Sequence, residues 1–217
     1  MVTASAQLAP DFLDRLAARA RARVGLDAAH DWSHVARVAA NADRLARSEG
    51  ADRVLTVAAA LCHELFNYPK GHPESHRSGE RCGLEALALL TDMGCDAAFS
   101  AAVAEAIRTH PFSLGETPKT LEGKLLQDAD RLDAIGAIGV ARCFATTQAM
   151  GRPFYNPDDP FCEARDPDDK AWGLDHFYKK LLRLGPSLHS AAARQEAAHR
   201  TAYLLEFIEQ LRREITA

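Results

Sequence analysis

The strongest constraint in this chain is a set of carboxylates set among apolar residues at helical spacing. Asp128, Asp130 and Asp133 lie among Leu125, Leu126, Leu132, Ile135 and Ile138. A helix built from these residues carries charge into an apolar interior, and an unpaired carboxylate is costly to desolvate. Asp130 and Asp133 are three apart and can share a helical face. Such a segment is hard to explain as a solvated surface, so the fold has to bring a cation or a metal ion to it.

Two further clusters carry suitable groups. The first is His30-Asp31-Trp32-Ser33-His34, with its histidines at i and i+4 and its Asp at a helix start. A pair of surface histidines is the competing account. The second is His63-Glu64, at the end of the most apolar helical stretch, which contains Val54, Leu55, Val57, Ala58, Leu61 and Cys62. Here the competing account is an exposed helix end. Histidines and carboxylates spread over three helices form the donor set of a divalent metal site.

The rest of the sequence reads as helix and loop. Pro10 precedes a stripe of Phe12, Leu13, Leu16, Ala20 and Val24; Asp31 caps a helix that Gly50 ends; helices follow over 52–66, 79–93 and 96–110. Residues 120–147 read as one helix, bent near Gly136 and Gly139, and the last helices cover 174–183 and 187–215. Residues 67–78 and 111–118 are loops. The Pro- and Asp-rich stretch 150–169 reads as a long irregular segment, expected to be mobile and to cover the site. No strand pattern appears, so the expected class is all-α, one domain over 1–217 with its motif-bearing core at about 28–147 and C-terminal helices at about 173–217.

A net charge of −4 argues against a nucleic-acid footprint, which needs a basic face. No apolar run is long enough for a membrane span, and residues 1–10 lack a signal-peptide pattern, so a cytoplasmic location is expected. The five cysteines are scattered without a CxxC pair and read as small buried apolar residues. A homodimer is left open.

The ordered motifs resemble the HD superfamily of metal-dependent phosphohydrolases. The family pattern falls on His34, on His63-Glu64 and on Asp130. The stretches HDWSHVARV, YPKGHPESHRSGE, IRTHPFS, QDADRLDAIGAIGVARCF and DPDDKAWGLDHFYKKLLRL are similar to the YedJ-type branch. The resemblance implies an HD-domain helical bundle with flanking N- and C-terminal helices. It implies a divalent metal held by His34, His63, Glu64 and Asp130, with manganese the expected ion and cobalt, nickel, iron, zinc or magnesium as alternatives. It also implies hydrolysis of a small phosphorylated metabolite, most specifically a nucleoside triphosphate cleaved to pyrophosphate.

Within that reading Lys124 and Arg131 stabilise charge on the phosphoryl oxygens, and Asp133 orients a ligand or shuttles a proton. Lys70, His76, Arg77 and His110 contact substrate; Lys70, Arg77 and Lys124 read equally as surface charge. His76 and His110 alternatively hold a second metal, which keeps a di-iron oxygenase as another reading. Two departures from the family pattern stand out. The second motif normally reads His-Asp, and here it is His63-Glu64. Asn67 stands where some HD nucleotidases have an acid that helps activate water. Both departures motivate a third reading, a non-catalytic nucleotide- and metal-binding module.

Overall fold

The computed structural model describes residues 8–25, 31–68 and 72–215. Among the described residues the regular elements are all helical. None of these helices is long and apolar enough to cross a membrane. The sequence reads as one domain; contacts gather the chain into two compact units, Met1–Asp130 and Arg131–Ala217.

The first unit is built around a short central helix. Helix α1 is Phe12–Arg21, α2 is Trp32–Glu49 and α3 is Arg53–Cys62. The sequence punctuates these helices as expected. Asp31 accepts from the His34 backbone N–H at 3.0 Å, Asp52 accepts from Leu55 N–H at 3.1 Å, and Gly50 ends α2 in the left-handed conformation. Helix α3 is buried along nearly its whole length, from Thr56 to Cys62, because small Ala58, Ala59 and Ala60 let neighbours approach on every side. It packs against α1, α2 and α5.

Helix α4 (Ser78–Asp92) lies along α5 (Ala97–Thr109). Their close approach depends on Gly83, where an added Cβ would meet the Ala104 carbonyl oxygen at 2.8 Å. Phe12 of α1 packs edge-on against Phe99 of α5, with ring centroids 5.8 Å apart. Helix α6 (Leu121–Asp133) carries Leu125, Leu126 and Ala129, all without exposure to solvent, and Asp130 on its third turn.

Several boundaries differ from the sequence reading, and the last helix starts at Ala191 instead of 187. Helix α3 stops at Cys62 instead of 66, with His63 as its C-cap. The single helix expected over 120–147 is two helices. Helix α6 ends at Asp133, and α7 is Gly136–Ala149. Gly136, at φ +75°, takes a left-handed turn that other residues adopt only at a cost, so the chain breaks where a bend was expected.

In the second unit α7 packs against α9 (Ala191–Ile215). A π-helical turn, Phe177–Leu181, leads into the short α8, Leu182–Leu184. Phe144 and Phe207 pack around the buried Phe177, with Phe177 and Phe207 stacked at 5.8 Å, and the exposed Phe154 meets Phe144 edge-on. The end of α6 is closed by guanidinium groups: Arg200 donates to the Leu132 carbonyl at 2.7 Å and Arg142 to the Asp133 carbonyl at 3.2 Å. Both satisfy carbonyls that a helix end leaves without partners.

The 150–169 segment, expected to be loose, is densely bonded. Asn156 accepts from the N–H of Asp158 and Asp159, and Asp159 accepts from the N–H of Glu163 and Ala164. Arg165 grips the fully buried Asp175 with two hydrogen bonds of 2.5 and 2.8 Å, and Asp168 N–H donates to the same carboxylate. The polar residues that suggest mobility in the sequence are the ones that tie the segment down.

Candidate metal centre

Three ends of helices supply the site. His34 occupies the first turn of α2, fixed there by the Asp31 cap. His63 caps the end of α3, and Glu64 follows it. Asp130 lies one turn before the end of α6. His34 and His63 are each only 1% exposed, while the Asp130 side chain keeps 27% of its surface open to solvent. The arrangement is therefore buried on its histidine side and accessible at Asp130.

The ring nitrogens converge. His63 Nε2 lies 3.1 Å from His34 Nε2. Glu64 Oε1 lies 3.6 Å from His34 Nε2 and 3.8 Å from His63 Nε2; Asp130 Oδ1 lies 3.6 Å from His34 Nε2. Ligand atoms of His34, His63 and Asp130 all fall within 4.8 Å of one another. With metal–ligand bonds of about 2.1 Å, two donors on one ion stand at most about 4.2 Å apart. These four separations meet that limit, and His34, His63 and Asp130 together form a group that could hold one divalent ion.

Protonation points the same way. The His63 Nδ1 lies 2.6 Å from the Ala60 carbonyl oxygen. With the proton on Nδ1 as donor, the Nε2 lone pair faces the cluster, which is the form a metal needs. Burial pushes the His63 pKa down to about 4; Glu64 opposes this, and His34 and His110 add to it. Burial wins, so the ring is neutral near pH 7.

His110 repeats the His63 arrangement at the end of α5. It caps its helix, its Nδ1 lies 2.6 Å from the Ile107 carbonyl, and its ring meets the His63 ring edge-on at 5.4 Å. The loop behind it is held by Gln127, whose Nε2 reaches the carbonyls of Thr109, His110 and Glu116 at 3.1–3.3 Å. Sequence reasoning passed over Gln127, a buried amide inside an apolar helix that needs several acceptors.

The other expected site residues fare differently. Lys124 is partly buried on α6. Arg77 is exposed and paired with Glu74 at 3.2 Å and Glu80 at 3.1 Å, so its charge is already matched. His76 is exposed, with Nδ1 3.2 Å from the Pro73 carbonyl. In the second unit Arg131 donates from Nη1 to the Ser187 carbonyl at 2.8 Å and to its hydroxyl at 3.2 Å. Asp133 is buried and pairs with Arg142 at 3.0 Å. These bonds hold Arg131 and Asp133 in place within the second unit. Lys70 and His30 lie outside the described residues.

Among the described residues the regular elements are all helical, and His34, His63 and Asp130, each at or near a helix end, form a group that could hold a metal ion. The family model for the HD domain matches residues 31–135, spanning all four candidate ligands. The chain belongs to the HD-domain family. It is 34% identical to YpgQ of Bacillus subtilis over 190 residues, 86% of this chain and 84% of that protein. Among solved structures, B. subtilis YpgQ in complex with ADP superposes with a TM-score of 0.73 at 31% identity, covering 94% of this chain and 97% of that one. An HD-superfamily hydrolase from Bacillus thuringiensis gives 0.73 at 35% identity, over 95% and 98% of the two chains. A protein from Lactobacillus plantarum gives 0.78 at 30% identity, over 97% and 99%.

Proposed function

We propose that this protein is a metal-dependent phosphohydrolase whose substrate is a nucleotide. The specific reaction we assign is hydrolysis of a nucleoside triphosphate to the monophosphate and pyrophosphate, with Mn²⁺ as the working ion. The observation that carries the reading is the pair of facing Nε2 atoms of His34 and His63, 3.1 Å apart, with Glu64 and Asp130 oxygens beside them. Imidazoles with carboxylates suit manganese or another transition ion better than magnesium. Similarity to an HD-superfamily hydrolase and to a protein crystallised with ADP supports the reaction class and the nucleotide.

His34, His63, Glu64 and Asp130 would hold the ion. When bound it supplies Lewis acidity, polarising a phosphoryl oxygen and acidifying a water molecule near neutral pH. In the reaction, water oxygen bonds to the α-phosphorus as the bond from that phosphorus to the bridging oxygen breaks, and pyrophosphate departs. Burial of the histidine rings excludes bulk water from the ligand side, while the open edge at Asp130 admits substrate. Lys124 is the cation we assign to the phosphoryl charge, since Arg77 and Arg131 are committed elsewhere. His110, buried beside His63, is the neighbour we assign to a substrate oxygen.

The test is turnover of a nucleoside-triphosphate panel under Mn²⁺, Co²⁺, Ni²⁺ and Mg²⁺, with products resolved by phosphorus NMR. Pyrophosphate release under Mn²⁺ is expected. Binding of nucleotide without turnover under every ion would replace this reading with a non-catalytic module.

A further inference from the structure

Glu64 is one methylene longer than the aspartate usual in this motif, and the structure shows what holds the extra length. Helix α3 stops at Cys62, so the chain turns directly after His63 and brings Asn67 back toward Glu64. The Asn67 side-chain amide donates to Glu64 Oε2. The other oxygen, Oε1, is the one 3.6 Å from His34 Nε2 and 3.8 Å from His63 Nε2. The two oxygens thus have separate duties: one is held by an amide at the exposed rim and the other faces the histidines.

The geometry points to Asn67 as a positioning residue that clamps the Glu64 carboxylate, so that Glu64 meets the metal through Oε1 alone. The physical reasons are three. A glutamate has one more rotatable bond than an aspartate, and that freedom would be lost on binding unless it were already restrained. A hydrogen bond to a charged carboxylate is stronger than one between neutral groups. An oxygen that accepts from Asn67 is turned from the ion, which keeps Glu64 from chelating through both oxygens and leaves a coordination position for water or a phosphate oxygen. Asn67 lacks an acid's ability to take a proton, but its N–H donor does what an acid there could not do, since a second carboxylate would repel the first. On this view Glu64 and Asn67 are one device, and the two departures from the family pattern compensate each other.

The inference rests on the metal reading and is independent of any substrate. The experiment is a titration of the full-length protein with Mn²⁺, reading free ion by electron paramagnetic resonance, for wild type, Asn67→Ala, Glu64→Asp and the double variant. Asn67 is exposed, so its replacement leaves the fold intact, and circular dichroism checks this. Asn67→Ala should weaken Mn²⁺ binding about tenfold, the value of one charge-assisted hydrogen bond at a solvent-accessible edge. In the Glu64→Asp background, where the shorter acid cannot reach the amide, the same replacement should change affinity less than twofold.

A wild-type affinity retained in Asn67→Ala would overturn the clamp, as would an equal loss in both backgrounds. Should Glu64→Asp bind no Mn²⁺ in the millimolar range, the water protons on the ion decide, counted by electron–nuclear double resonance. Asn67→Ala should lose one bound water as Glu64 becomes bidentate, and an unchanged count would overturn the proposal. A wild-type protein that binds no Mn²⁺ at all would overturn the metal reading itself, and the clamp with it.

Discussion

Acid should destabilise the metal-free protein through His63 in particular. The ring is buried, and burial holds its pKa at about 4 against an ordinary 6.5. The sign follows from which state binds the proton more readily. Between pH 6.5 and 4 the unfolded chain takes up a proton at His63 and the folded chain does not, so acid draws the equilibrium toward unfolding. The stabilising contribution is complete above pH 6.5 and falls away as pH drops toward 4. Over that range each pH step of one costs about 1.4 kcal/mol, which gives a loss of about 2 kcal/mol by pH 5 and about 3 kcal/mol by pH 4. Stability measured by urea unfolding of chelator-treated protein at pH 7.5, 6.5, 5 and 4 reads this directly. Removing metal first matters, because protons and ions compete for the same nitrogen. Other groups titrate in this range too, so the control is His63→Gln, which keeps them and removes the imidazole. The gap between wild type and His63→Gln should narrow or invert by about 3 kcal/mol from pH 7.5 to 4. Parallel pH profiles for the two proteins would refute the reasoning, since they would mean that the ring is protonated as easily folded as unfolded.

Two further outcomes test the second unit. Gly136→Ala should lower stability by about 1–2 kcal/mol in thermal unfolding, because φ is +75° and the new Cβ would stand 3.2 Å from the Arg200 side chain. Arg165→Ala should cost about 3 kcal/mol, because it leaves the fully buried Asp175 without its bidentate partner; limited proteolysis within 150–176 should rise with it.

Much of the fold is readable from local signals. Asp31, Asp52 and Gly50 mark helix ends through chemistry confined to a few residues, and the structure uses each of them that way. The break between α6 and α7 is less legible. Gly136 sits in an apolar helical pattern, and the carbonyls that end α6 just before it, at Asp133 and Leu132, are met by Arg142 and Arg200 from 9 and 68 residues away. The same distance effect separates Asp130 from Asp133. Their spacing suggests one shared face, and in the structure Asp133 sits at the helix terminus and meets Arg142. Nothing local in the sequence announces that Arg131 donates to Ser187, 56 residues on. The bonding within the 150–169 stretch is not legible for a related reason: Asn and Asp make local turns, and its further partner Asp175 lies beyond the stretch. The motif residues His34, His63 and Glu64 are legible through the family pattern they match, while the end of α3 that carries His63 falls four residues before the end read from the sequence.

The most direct test of the central claim is a crystal grown with Mn²⁺ and measured on both sides of the manganese absorption edge. The account predicts one anomalous peak with bonds of about 2.0–2.3 Å to Nε2 of His34, Nε2 of His63 and oxygens of Glu64 and Asp130. A peak elsewhere in the protein, with these four side chains holding no ion at saturating Mn²⁺, would contradict it.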